Sequence, residues 1–447
     1  MNIETALQKQ FELSKTLNNN VNIAQNASHQ LTLQLKKIKQ ENQDATLQSM
    51  SNNCQKNILS NNETKYKLNN YKTLKGHFDK VSSCAWYPDN QHLVTSSQDG
   101  YLLVWDAVKG LKNNLVELDD PYIMGCDVSY NGQLVATGGL DNTCIVYKLS
   151  TSIDNDDNNN NNNNNNSTGL LSILRDHKEY ISDLSFLHKS STQLITSSGD
   201  KSCILWDTSK GGYIRHFYGH LGDVLSLSIN KNDLNNSNPN LFVTSSSDKL
   251  SMLWDIRDPL ASRKYLVNSK FDSSEIEFFP DGNCFTCGCD DGTIKMFDIR
   301  CDGELSTYTI DKVRKYINSN NLQNTIPTYN NYSNNNNDQN STFDINQDQR
   351  STSVRSLMSN MQASIDNPGV LSLDFSKSGR LMFTSYAEST SVFIWDTITG
   401  EIVGSLNGHN GIVSKVKVSS DGLGIATASR DETIKIWSVW WRYCKMY

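Results

Sequence analysis

Residues 92–106 read HLVTSSQDGYLLVWD, and residues 193–207 read QLITSSGDKSCILWD. Each joins a short apolar run to a polar turn holding an Asp, then to a second run ending in Trp-Asp. Runs rich in β-branched residues and bounded by Ser, Asp and Gly are half-buried strands with turns between them. One such unit exposes an apolar sheet face and cannot stand alone, so the reading of this stretch depends on whether copies of it exist.

They do. Seven segments end in an aromatic, usually followed by Asp: LLVWD, CIVYK, CILWD, SMLWD, IKMFD, VFIWD and IKIWS. The aromatics are Trp105, Tyr147, Trp206, Trp254, Phe297, Trp395 and Trp437, at intervals of 42, 59, 48, 43, 98 and 42 residues. The three long intervals contain Asn-rich insertions, and removing those restores a period of about forty. An Asp precedes the aromatic by six positions in six units: Asp99, Asp141, Asp200, Asp248, Asp291 and Asp431. The sixth unit has Ser389 there, with the carboxylate of Glu388 beside it. Four units open with a histidine in KGH, RDH, YGH and NGH, namely His77, His177, His220 and His409. Stacking seven units in a ring buries their faces and protects most edges. The segments are identified as WD repeats. The fold this resemblance implies is all-β, a seven-bladed β-propeller over residues 71–439.

A repeated His, Ser, Asp set beside a buried Trp invites comparison with a hydrolase triad. Repetition argues against it, because several copies of one catalytic centre serve nothing, whereas several copies of a staple serve the fold. A buried indole N–H needs an acceptor, and a buried imidazole and carboxylate need partners. In WD-repeat families these residues form a structural network, so no enzyme activity, cofactor or metal is expected. Cys284, Cys287 and Cys289 in CFTCGC have no accompanying Cys or His pair and read as structural.

Composition limits the function classes. The 447 residues carry a net charge of -7, which gives no electrostatic case for nucleic acid. No apolar run reaches the length of a membrane span, and the opening MNIETALQKQFELSK lacks a secretory core. Ten cysteines without framework spacing suit a reducing cytosol.

Residues 1–49 read differently. Leu31, Leu35, Ile38, Asn42 and Ala45 follow 4,3,4,3 spacing, the seam of a coiled coil from about residue 25, with Asn42 at a register-fixing position. Such a helix is marginal alone and calls for a partner helix. A linker over 50–70 and a ring beginning TLKGH follow. Helix, DATLQSM, link and ring together resemble the β subunit of heterotrimeric G proteins. The likeness continues through SSQDGYLLVWD, VATGGLDNTCIVY, ITSSGDKSCILWD, FFPDGN, DDGTIKMFD and FSKSGRLMF, over about residues 30–439.

That resemblance implies a γ subunit coiled against the N-terminal helix and a Gα subunit in its GDP state docked on one propeller face. The implied Gα and effector positions are Lys80, Tyr122, Met124, Leu140, Asn142, Tyr180, Asp223, Leu225, Asp272, Asp290 and Arg430. Three positions depart from the family: tryptophan is replaced at Tyr122 and Arg430, and tyrosine at Ser82. It also implies a closing strand from YKTLKGH, which completes the last blade. The Asn-rich insertion 150–168 is expected opposite the Gα face. The insertion 309–368 is expected to be disordered and to project from the Gα face, as inert padding or as a flexible gate that weakens Gα binding or is phosphorylated at its serines. The tail 440–447 reads as blade-edge packing.

The implied function is a non-catalytic G-protein β subunit passing receptor signals to effectors. It would be cytoplasmic and peripheral at the inner face of the plasma membrane through γ, without inserting itself. The alternative is a WD-repeat scaffold of ubiquitin-ligase or ribosome-associated type.

Overall fold

The computed structural model describes residues 68–149, 169–187, 190–231, 240–319 and 369–438, with isolated helical positions at Val21, Asn26, Gln30 and Leu33. The proposed γ-binding seam, both Asn-rich tracts and the tail 440–447 lie outside the described residues.

Seven four-stranded antiparallel sheets follow one another as the blades of a propeller. Each is lettered a to d from the inside outward. Blade 1 is Val81–Trp86, His92–Ser97, Tyr101–Asp106 and Leu111–Glu117. The inner strands of blades 2 to 7 are Ile123–Val128, Ile181–Phe186, Val224–Ile229, Ser273–Phe278, Val370–Phe375 and Val413–Val418. Blade 7 is completed by Asn69–Lys75, which pairs antiparallel with Thr433–Ser438 from Asn69↔Ser438 to Lys75↔Thr433. This strand begins two residues before the boundary expected at 71.

The core lies between blades. At the seam, Leu93, Leu103 and Trp105 of blade 1 pack against Leu74, Ala426, Ala428, Ile434 and Ile436 of blade 7. Packing there is size-matched: the large indole of one blade faces the small b-strand side chains of the next. The motif GGLDN reflects the same crowding, since a Cβ on Gly138 would come within 2.7 Å of Ile181 Cγ2 in blade 3.

One irregularity recurs in all seven blades. The a–b pairing shifts register after the first residue of strand a, leaving Ser82, Met124, Ser182, Leu225, Ser274, Leu371 and Ser414 as bulges. A bulge bends the strand and re-aims the extra side chain. The serines turn theirs to a neighbouring carbonyl, as in Ser182 Oγ to Val224 O at 2.6 Å and Ser274 Oγ to Val370 O at 2.9 Å.

The start of the insertion at 309 corrects the sequence-based expectation. Instead of disorder from residue 309, a helix α1 spans Ile310–Ser319. Ile310, Val313 and Ile317, spaced i, i+3, i+7, are buried with Tyr308, Tyr386, Phe393 and Trp395 in the core between blades 5 and 6. Lys312 Nζ binds Gly400 O at 2.6 Å and Glu401 at 3.0 Å, tying α1 to the c–d turn of blade 6. Helix α1 therefore fills an interblade groove. It does not project from the rim that the Gα candidates occupy.

Candidate functional site

Blades 1, 3, 4 and 7 each contain the same four-residue chain of hydrogen bonds. In blade 3, Trp206 Nε1 donates to Thr196 Oγ1 at 2.8 Å, and Thr196 lies 2.7 Å from His177 Nε2. His177 Nδ1 lies 2.8 Å from Asp200 Oδ2. The carboxylate only accepts, so Nδ1 carries the proton, Nε2 accepts from the threonine hydroxyl, and the hydroxyl oxygen is free for the indole. Trp105–Thr95–His77–Asp99, Trp254–Thr244–His220–Asp248 and Trp437–Thr427–His409–Asp431 repeat the arrangement. The threonine was not singled out in the sequence, although it stands at a fixed place in HLVTSS and QLITSS.

Electrostatics agree with this direction of donation. Burial pushes His77 below its ordinary value despite the bond to Asp99, so its ring is neutral. Burial alone would raise Asp248, but the bonds from His220 and the Leu221 N–H together bring it down to about 2. Asp200 and Asp431, likewise opposed by burial, are lowered by their histidines and by the hydroxyls of Ser202 and Thr433.

The aspartates also fix the rim of the ring. Oδ2 accepts the N–H after the histidine (Phe78, Lys178, Leu221 or Asn410), at 2.9–3.0 Å. Oδ1 accepts the N–H two residues beyond the aspartate, as at Tyr101 and Ser202. Each staple therefore clamps the loop entering strand a to the b–c turn. The residue after the aspartate is left-handed in six blades: Gly100, Asn142, Lys201, Lys249, Gly292 and Glu432.

The remaining blades vary the theme. In blade 5, Asn268 Nδ2 reaches Asp291 Oδ2 at 2.8 Å and replaces the histidine. Asp141 of blade 2 has no histidine, and its carboxylate bonds Thr143. Blade 6 keeps only Trp395 Nε1 to Thr384 Oγ1, at 3.0 Å. There Tyr386 and Phe393 pack with the apolar face of α1.

The sequence-nominated binding residues fall on this rim. One backbone bond recurs there in each blade, from the b–c turn to the residue before or at the start of strand a. It runs Gln98 to Lys80, Leu140 to Tyr122, Gly199 to Tyr180, Ser247 to Asp223, Asp290 to Asp272, Ala387 to Gly369 and Arg430 to Ile412, at 2.8–3.1 Å. Eight of the eleven candidates are partners in that ladder. Met124 and Leu225 are bulge residues of blades 2 and 4, where an apolar side chain takes the place of the tying serine. Asn142 donates to Lys178 O at 3.1 Å, and Tyr180 OH donates to Asp223 Oδ2 at 3.0 Å, linking neighbouring blades.

Tyr122, Met124 and Leu140 are 53%, 46% and 50% exposed, and together they form an apolar patch on blade 2. Phe78 and Leu221, about 80% exposed, were not nominated. Their signal was positional: each follows a staple histidine, and its N–H is held by the staple aspartate. Ser82, in contrast, turns inward to Ser96 O at 3.2 Å.

The three cysteines of CFTCGC are buried in strand b of blade 5. Burial pushes Cys284 up to about 12 and Cys289 to about 11, leaving inert thiols. No group suited to a metal ion exists among the described residues. No described helix is long and apolar enough to cross a membrane.

A ring of seven blades, with repeated structural staples and a rim of exposed apolar side chains set in fixed backbone, defines a WD-repeat interaction platform. The G protein β WD-40 repeat family model matches residues 19–338, and the WD domain, G-β repeat model matches 356–396 and 400–438. The guanine nucleotide-binding protein subunit β of Saccharomyces cerevisiae is 36% identical over 433 residues, covering 97% of this chain and 94% of the relative. The subunits of that name from Oryza sativa subsp. japonica and Arabidopsis thaliana are 35% and 32% identical over 376 residues, covering 82% of each chain. The chain belongs to the G-protein β subunit family, a non-catalytic signalling scaffold.

Proposed function

We propose that this chain is the β subunit of a heterotrimeric G protein. It pairs with a γ chain through its N-terminal helix, holds Gα in the GDP state on the rim of the ring, and releases that rim to effectors when GTP reorders Gα. The observation that carries this reading is the rim itself. Tyr122, Met124 and Leu140 are large, half-exposed and apolar; the Leu140 N–H to Tyr122 O bond fixes two of them and the strand bulge presents the third, which leaves little to reorganise on binding. Tyr180, Asp223, Asp272 and Asp290 supply the polar surroundings that a hot-spot cluster needs. Tyr122 keeps an aromatic where the family has tryptophan, while Ser82 and Arg430 remove two further anchors. Binding therefore centres on blades 2 to 4. Membrane attachment comes through a lipid on γ.

The test is capture of GDP-loaded Gα by the full chain with its γ partner, followed by addition of a non-hydrolysable GTP analogue. Release on the analogue is expected, and Leu140→Asp should weaken GDP-state capture at least about tenfold, since a central hot spot is worth about 2 kcal/mol or more. Capture that ignores both the nucleotide and Leu140→Asp would sink the assignment.

A further inference from the structure

The inner strands of a propeller face its central channel, and in this chain they carry charge. Lys415 on blade 7 reaches across to Glu275 on blade 5, with Nζ to Oε1 at 2.8 Å, and lies 4.0 Å from Asp183 on blade 3. Two residues along, Lys417 Nζ meets Glu277 Oε2, also on blade 5, at 2.8 Å. Neither pair joins neighbours, because blade 6 lies between the partners. The spacing is what makes both pairs possible: residues i and i+2 of a strand share a face, so SKVKV and SSEIEF each present two like charges to the channel.

Every other charge facing these pairs is accounted for. Asp374 of blade 6 bonds Val418 N at 2.7 Å and faces Lys417. Asp183 accepts from Ser226 Oγ at 3.1 Å, and Asp127 of blade 2 accepts from Ser185 Oγ at 2.8 Å. Ser228 of blade 4 donates to Glu277 Oε1 at 2.8 Å, and Lys231 acts on the same carboxylate. Lys415 and Lys417 are thus two cations set among five carboxylates. Their neighbours hold both well above the ordinary lysine value in spite of burial. Asp374 is pushed up to about 6, burial being the main cause.

We propose that the Lys415–Glu275 and Lys417–Glu277 pairs are a cross-channel electrostatic tie that locks the closing blade into the ring. Blade 7 is the blade made from the two ends of the propeller, and its fourth strand is joined to the third by strand pairing alone, with no hairpin connecting them. The tie fastens the inner strand of that blade to blade 5 independently of the outer ladder. Removing a cation leaves buried carboxylates uncompensated, whereas removing the whole set leaves nothing to compensate.

The full chain tests this through amide exchange in the seam (Lys72–Lys75 against Thr433–Ile436) and thermal unfolding from pH 5.5 to 7.5. Lys417→Met should accelerate seam exchange about tenfold or more at pH 7.5. In that variant Glu277 and Asp374 have folded pKa values above their unfolded ones, so stability is lost as pH rises and regained as it falls. The defect should shrink by more than half at pH 5.5. Lys417→Met/Glu277→Gln/Asp374→Asn should lose the pH dependence and recover part of the defect, yet leave seam exchange about threefold or more faster than the parent at both pH values, because the pair itself is then absent. If Lys417→Met fails to fold, a triple variant that folds with this residual acceleration supports the tie, and one that folds with the parent's seam exchange overturns it. A triple variant that fails to fold, a loss equal at both pH values, or unchanged seam exchange in Lys417→Met overturns it.

Discussion

Thr196→Val and Thr384→Val are the same substitution at the same place in two blades, and they should not cost the same. In blade 3 the Thr196 hydroxyl serves both Trp206 Nε1 at 2.8 Å and His177 Nε2 at 2.7 Å, and both rings are buried. Valine keeps the shape and orphans both groups. A buried polar group left without a partner costs about 1–3 kcal/mol, so the loss is about 2–6 kcal/mol. In blade 6 the Thr384 hydroxyl accepts from Trp395 Nε1 and has no histidine to serve, so the same substitution orphans one group fewer and costs about 1–3 kcal/mol. With an unfolding entropy near 2.1 cal/mol/K per residue over roughly 290 folded residues, these are shifts of about 3–10 °C and about 2–5 °C in midpoint. Thermal unfolding of the full chain, supported by urea midpoints, reads the difference. Thr95→Val, Thr244→Val and Thr427→Val provide three replicates of the larger effect. Equal losses in all five variants, or a larger loss at Thr384, would refute the shared-hydroxyl account.

Helix α1 gives a second measurement: deleting 320–366 should leave the unfolding midpoint nearly unchanged. Extending the deletion to 312 strips Val313 and Ile317 from the core and should cost about 3–6 kcal/mol by burial bookkeeping. Lys201→Gly, at φ 71°, relieves left-handed strain and should stabilise by up to about 1 kcal/mol in urea titration; a loss would mean the lysine side chain matters there. Asp248 has a folded pKa of about 2, below its ordinary value, so its stabilising contribution is complete above about pH 4 and is lost as pH falls toward 2. Asp248→Asn should flatten that part of the acid-unfolding curve relative to the parent.

The ring was legible because its signal is repeated. Strand alternation and the terminal aromatic occur seven times and the Asp turn six, so a fault in one copy, such as Ser389, did not obscure the rest. The rim was legible only through family resemblance, because nothing local distinguishes Met124 from an ordinary first-strand residue. Its exposure follows from a bulge, which is a pairing property that one strand's sequence does not contain. Helix α1 was missed for a different reason. Ile310, Val313 and Ile317 show helical spacing, but they adjoin an asparagine tract whose composition dominated the reading. Asn268 escaped because the histidine pattern was sought by residue type rather than by the need of Asp291 for a donor. The channel charges escaped because Lys415 and Glu275 are 140 residues apart, and only closure of the ring brings them together.

The pairing of Asn69–Lys75 with Thr433–Ser438 has a consequence for biosynthesis. A ribosome adding about 5–20 residues per second needs roughly 20–70 s to travel from one partner to the other. Through that interval the emerging chain presents a growing arc of sheets with a sticky flank at each end. The first-made end must wait, unpaired, until the last hairpin leaves the exit tunnel. A toroid fastened this way completes its fold only once Thr433–Ser438 has emerged, and its yield in cells depends on whatever shields the open arc meanwhile.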